Sequence, residues 1–247
     1  MSTSSGIIEV IFSPPEIDLL PAREDLSGAV AVVFDVLRAT STMITALSNG
    51  AAGIWPVRTI EEAWALKAQR PHALLGGERH GERIEGFDLG NSPLEYGENV
   101  RSHEIISTTT NGTIALRAVE RASSVLAASL LNNAAVASHL NARPSRNVLI
   151  VCAGTFRDAA LEDIVAAGML VSLLPGRELA DSAEVALALY RQEQHDIAGT
   201  LRRARNGRAL AAKGRGAEVE WCAQCSRFPL VAEMSGGLVH RTAWKLR

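Results

Sequence analysis

Two runs in this chain carry almost no polar residue: AVAVVFDVL at 29–37 and VLIVCAG at 148–154. A strand with one wet face alternates apolar and polar side chains. A continuous apolar strand has to be covered on both faces, as parallel strands are when helices flank them. Ile7–Phe12, Ile54–Val57, His72–Gly76, Glu104–Thr109 and Val125–Ala128 read as further strands, most of them followed by a helical pattern. The expected fold is therefore α/β, a layered α/β/α arrangement around a largely buried, mainly parallel or mixed sheet. At 247 residues the chain is long enough for one domain over 1–247, and the same pattern allows two close-packed lobes, about 1–120 and 121–247.

Ligands of open α/β sheets gather where strands feed helices, so the junctions carry the functional reading. Asp35 and Arg38 follow the first apolar run, ahead of the helical stretch STMITALSNG with Thr40 or Ser41 as its cap. They either face a ligand or form a local ion pair that closes the turn. Glu104–Thr109 runs into TTTNGT, where Thr108, Thr109, Thr110 and Asn111 offer hydroxyl, amide and backbone donors to a phosphate or carboxylate. The plain alternative is a threonine-rich strand ending in an Asn-Gly turn. The second apolar run leads to ALEDIVAAGMLVSLL, with Glu162 and Asp163 in its first turn, where acids also simply complement the helix dipole.

Between these lies LGGERHGERIEGFDLGNSPLEY, residues 75–96. Ser92 as N-cap, Pro93 next and Glu95 at the third position form a capping box, so a helix is expected to start there. Glu78, Asp88, Asn91 and Ser92 would then ride on a loop that ends at a helix N-terminus, which suits an anion. Carboxylates in that place repel an anion unless a hard divalent cation lies between, and Mg²⁺ is the simplest such cation. Thr59–Glu62 and Asp181–Glu184 read as two more capping boxes, and Pro56 assigns its strand to an edge or a bulge.

Composition excludes several classes. With 27 acidic and 25 basic residues the net charge of −2 provides no grip on nucleic acid or an anionic membrane. No apolar run reaches transmembrane length, and MSTSSGIIEV lacks the regions of a signal peptide. Three cysteines are too few for a disulfide framework, which points to a reducing cytosol. Cys222 and Cys225 form a lone CxxC without the second ligand pair that zinc requires. EQHDIAGTLRRARNGRALAAKG reads as helical and basic, broken at Asn206-Gly207, its arginines forming a solvated face. A homo-oligomer is neither required nor excluded.

Together, FDVLRATST, GGERHGERIEGFDLGNSPLEY, TTTNGT and CAGT…LEDIVAAG resemble the 2-phosphosulfolactate phosphatase family, in that order and over roughly Gly28 to Tyr190. The resemblance implies a compact, Mg²⁺-dependent enzyme that hydrolyses 2-phospho-3-sulfolactate to sulfolactate and phosphate on the way to coenzyme M. By position it implies Asp35 and Arg38 as catalytic residues. Arg38, Asn91, Ser92, Thr110 and Asn111 would meet the substrate, and Glu78, Asp88, Glu162 and Asp163 would form the pool of metal ligands. Asp35 is a further ligand, a base orienting water, or a phospho-acceptor; water activation is preferred because the motif lacks the second aspartate of Asp-x-Asp phosphatases. Arg79, His80 and Arg83 are the donors available for a third anionic group. The chain departs from the family at Ala160, where a serine tends to cap the helix, leaving Asp158 as the substitute cap, and near Ser226, where an aspartate is frequent. A phosphotransferase or phosphatase acting on another phosphorylated hydroxy acid, and a non-catalytic anion-binding homologue, are the alternatives.

Overall fold

The computed structural model describes residues 5–242. Its first half runs β1 (Ile7–Ile11), α1 (Pro14–Ile17), β2 (Ala29–Phe34), α2 (Ala39–Ser48), β3 (Gly53–Pro56), α3 (Ile60–Gln69), β4 (Leu74–Arg79), β5 (Glu82–Arg83), β6 (Glu104–Thr108) and α4 (Gly112–Ala118). The second half runs β7 (Ser124–Ala128), α5 (Asn133–Asn141), β8 (Asn147–Cys152), α6 (Leu161–Ser172), β9 (Glu178–Leu179) and α7 (Asp181–Glu193). It closes with α8 (Ile197–Arg203), α9 (Arg205–Ala212), α10 (Gly216–Cys222), β10 (Ala232–Ser235) and β11 (Leu238–Arg241).

The strands form one mixed sheet in the order β5-β4-β6-β3-β11-β10-β7-β2-β8-β1-β9. It contains two parallel blocks, β4-β6-β3 and β7-β2-β8-β1-β9, joined by the antiparallel hairpin β10–β11. Three antiparallel pairings in succession make the blocks run in opposite senses. They nevertheless share a core. Ala31 and Val33 of β2 pack in the same buried cluster as Ile54 of β3 and Ile105 of β6, together with Ile44 and Leu47 of α2 and Leu116 of α4. The sheet therefore curls, with α2 and α4 inside the curl. The outer face of the large block packs on α5, α6 and α7, and that of the small block on α3. The two apolar runs are β2 and β8, adjacent in the middle of the large block, with Val32, Val33, Phe34, Ile150 and Val151 fully buried. Double-sided burial is what their unbroken apolar character required.

Several local expectations are corrected. Strand β4 extends to Arg79, so Glu78 is held on a strand and not on a loop. Pro93–Glu95 is a single 3₁₀ turn, because Glu95 turns back to accept from the Gly90 N–H at 2.8 Å and Gly97 leaves helical geometry two residues later. Helix α2 has Arg38 as its formal cap; Thr40 instead exchanges hydrogen bonds with the backbone of Asp35. Asp181 is the first residue of α7 and caps nothing, while the Ser182 hydroxyl accepts from Val10 N–H and ties the helix to β1. Ala160 caps α6 without a side-chain bond, and Asp158 does not replace the missing serine: it is ion-paired with Arg205. Pro56 lies in an interior strand, opposite Ser107 and beyond the one pairing with β11 at Ile54, so no ladder bond is lost. The basic segment breaks at Ala204, not at Asn206-Gly207. Gly207 is a contact point between α8 and α9: a β-carbon there would lie 1.8 Å from the Leu201 carbonyl. The Thr59 cap is present, its hydroxyl accepting from Glu62 N–H at 3.1 Å.

Candidate active site

A cavity of about 180 Å³ opens where the carboxyl ends of the two blocks meet. Asp35 and Arg38 reach it from the end of β2, Glu78 and His80 from β4 and its turn, and Thr110 and Asn111 from the end of β6. Gly154, Thr155 and Phe156 follow β8, Asn91 comes from the central stretch, and Asn206, Leu210 and Lys213 come from α9 and its C-cap. The curl of the sheet thus brings together junctions that lie far apart in the chain.

Each block has a carboxylate that braces its strand ends. In the large block Asp163 accepts from Val36 N–H at 2.7 Å and from Gly154 N–H at 3.0 Å, stapling the end of β2 to that of β8. In the small block Glu78 accepts from Thr110 N–H and from Gly81 N–H, both at 2.7 Å, joining the ends of β4 and β6 and the β4–β5 turn. Asp35 lies at the N-termini of α2 and α4. One of its oxygens accepts from Ala39 N–H at 3.0 Å, and the other lies 2.6 Å from where a β-carbon on Gly112 would be. Only glycine permits α4 to start so close to this carboxylate. Burial raises the Asp35 carboxyl to about 7 against an ordinary 3.8, the nearby Glu78 and Glu162 adding to it and the Ala39 N–H and Arg38 opposing. Burial also pushes up Glu162 and, with Asp35 and Glu162 beside it, Asp163.

Arg38 does not pair with Asp35. Its guanidinium is buried in an ion pair with Glu218 of α10 and donates to the Gly81 carbonyl at 3.2 Å. Glu162 is buried and receives a hydrogen bond from Asn206 at 2.6 Å. Asn111 spends its amide on the wall: it donates to the carbonyls of Ala153 and Phe156 and accepts from Phe156 N–H, holding the Phe156 turn across the cavity mouth. Asn91 is buried at the cavity, its carbonyl pinned by the Thr42 hydroxyl at 2.9 Å.

Other expected residues lie outside the lining. Asp88 is exposed and accepts from Leu75 N–H at 2.8 Å, because the segment around Leu89 docks alongside β4. Ser92 is buried under its own turn, accepting from Leu94 N–H at 3.3 Å. Arg79 donates to Thr108 and Arg83 to the Asp88 carbonyl, so of that basic trio His80 alone lines the cavity. Thr109 and Thr113 bond reciprocally at the start of α4. Sequence reasoning missed Glu218, Asn206 and Lys213. Asn206 and Lys213 belong to the basic stretch around α9, whose composition resembles an ordinary solvated surface, and Glu218 to the short, acidic α10.

Among the described residues no group of three or more His, Cys, Asp or Glu side chains is arranged to cage a metal ion. Magnesium does not need such a cage: one or two carboxylates, substrate oxygens and waters suffice. Two buried oxygen donors are of that kind: Asp35, on the cavity lining with one oxygen outside its bond to Ala39, and Glu162, which with Asp163 is not among the lining residues but is bonded through one oxygen to the lining residue Asn206. Cys222 is buried and Cys225 exposed, and both are free thiols. No helix among the described residues is long and apolar enough to cross a membrane.

A sequence model of the family described as 2-phosphosulpholactate phosphatase matches residues 16–237. The chain belongs to that family. It is 42% identical to a protein of Deinococcus radiodurans over 226 residues, 90% of this chain and 93% of the relative. It is 41% identical to one of Thermotoga petrophila over 84% of this chain and 90% of the relative, and 37% identical to one of Clostridium acetobutylicum over 90% and 98%. All three carry the name "Probable 2-phosphosulfolactate phosphatase". The matched span includes α9 and α10, so the helices that supply Asn206, Lys213 and Glu218 lie within what the family shares.

Proposed function

We propose that this chain is a Mg²⁺-dependent phosphatase that hydrolyses 2-phospho-3-sulfolactate to 3-sulfolactate and phosphate. The observation that carries the reading is one cavity in which a buried Asp35, its carboxyl raised, lies with Arg38, Glu78 and Thr110 at the carboxyl ends of three strands and with Asn91 of the central stretch. Family membership and the names of the relatives support the substrate.

Glu162 is the residue that would hold Mg²⁺ directly, with Asp163 and Glu78 behind it; Asp88 is not retained, and Asp35 keeps its one uncommitted oxygen for proton transfer. Bound there, a hard divalent cation supplies neutralising charge to the phosphoryl dianion, which these carboxylates would otherwise repel. Arg38 faces the phosphoryl oxygens with a planar, permanently charged fork, held in one orientation by Glu218 and the Gly81 carbonyl. The Thr110 side chain and the Asn91 amide supply neutral donors at the same cavity. With a carboxyl near 7, Asp35 takes the proton of an attacking water at neutral pH and returns it to the leaving alkoxide oxygen. Asn111 positions the Phe156 turn and does not bind substrate through its amide. The full chain works as one α/β unit, since the cavity draws on both blocks, and its place is the cytosol, in keeping with free thiols.

Phosphate release from 2-phospho-3-sulfolactate with Mg²⁺, followed in parallel with and without an acceptor alcohol, tests the reading. Free phosphate supports it; transfer to the acceptor would identify a phosphotransferase.

A further inference from the structure

Three basic side chains converge on the β4–β5 turn at the cavity edge. Arg38 and Arg215 donate to the Gly81 carbonyl at 3.2 and 2.6 Å. Lys213 donates to the His80 carbonyl at 3.2 Å, and its ammonium lies 3.4 Å from where a Gly81 β-carbon would be. Two acids pair with these three cations: Glu218 with Arg38, and Glu82 with both Lys213 and Arg215. Glu78, the next carboxylate, has both oxygens on backbone N–H groups. Glu78 keeps its charge, so three acids balance the three cations at the turn, and Lys213 and Arg215 share one of them, Glu82. Of the two cations that share Glu82, Lys213 lines the cavity and Arg215 does not. Its side chain keeps 43% of its surface exposed, so it is free to exchange a carbonyl contact for a ligand.

We propose that Lys213, at the Gly81 turn, is the specificity residue that receives the sulfonate of the substrate. This rests on the phosphatase reading above and deepens it. A sulfonate is ionised at every working pH and is a weak ligand for hard cations, so it gains most from a fixed ammonium. The phosphate and carboxylate are the groups suited to the carboxylate-lined end of the cavity. Arg38 and Lys213 meet the same residue, Gly81, which sets two cationic ends close enough to span a three-carbon substrate.

The test compares Lys213→Met, Lys213→Arg and Arg215→Met. The readout is the ratio of kcat/KM for 2-phospho-3-sulfolactate to that for phospholactate, which lacks the sulfonate. Lys213→Met should lower the ratio about tenfold, Lys213→Arg should restore most of it, and Arg215→Met should hold it within about twofold. An unchanged ratio in Lys213→Met, or an equal fall in Arg215→Met, would overturn the assignment, the latter showing a loosened turn instead of a lost contact. Calorimetric binding of 3-sulfolactate separates this from failure of the phosphatase reading. If the wild type releases no phosphate from either compound, about tenfold weaker sulfolactate binding in Lys213→Met still supports the subsite, and equal binding rejects it.

Discussion

Asp35 works in this account because of what surrounds it: burial, two further carboxylates and the first N–H of α2. Replacing it by asparagine keeps the shape and removes the proton acceptor, so Asp35→Asn should lower kcat on the order of 100-fold or more. Arg38→Ala should cost a similar factor, expressed in kcat/KM, because it removes the charge opposite the phosphoryl group and leaves Glu218 buried without a partner. Steady-state kinetics checks both, and wild-type turnover in Asp35→Asn would reduce that residue to a turn former. At this scale the sequence was informative where strands end. Asp35, Arg38, Thr110 and Asn111 were read from junctions, Glu78 and Asn91 from the stretch at 75–96, and all six line the cavity. What could not be read was which atoms are already committed. Asn111 looks like a donor to a ligand until the fold brings Phe156 to its amide, and Asp88 looks like a ligand until Leu75 N–H takes its oxygen.

Elements legible from local chemistry came out as expected where the signal was backbone-local. The apolar runs became β2 and β8, and Thr59 caps α3. Signals with a competing partner failed: Glu95 accepts from Gly90 N–H instead of closing its own cap, and Asp181 caps nothing while its neighbour Ser182 ties α7 to Val10. The two kinds of site predict opposite phenotypes. Thr59→Ala should destabilise the protein by about 1 kcal/mol with kcat unchanged, as read by denaturant melts and turnover. Gly112→Ala would bring a β-carbon to 2.6 Å from both Asp35 and the Ala39 side chain. It should lower turnover on the order of 100-fold by displacing the carboxylate, even where the protein remains folded. The C-terminal helices were the least legible elements. A solvated arginine face and a cavity wall have the same composition, and only the packing of α9 and α10 over the Gly81 turn distinguishes them.

For the whole molecule, the curl of the sheet collects buried carboxylates from both blocks, and that has a pH signature. A carboxyl raised to about 7 from 3.8 holds its proton in the folded protein after the unfolded chain has released it. The stability this confers is complete below about pH 4 and is lost as pH rises through about 7; Glu162 and Asp163, raised in the same direction, add to the loss. Metal-free protein should therefore melt lower at pH 8 than at pH 5.5, and Mg²⁺ should raise Tm more at pH 8. A Mg²⁺ shift independent of pH would argue against Glu162 as its ligand. EDTA should abolish turnover and Mg²⁺ restore it, since hard oxygen donors populate the cavity and no thiol lines it. The most direct measurement is phosphate release by the purified protein with Mg²⁺, as kcat/KM for 2-phospho-3-sulfolactate and for phospholactate. The expected result is release of free phosphate with at least roughly tenfold preference for the sulfonated compound, about 1.4 kcal/mol. No release, or equal values for the two, would contradict it.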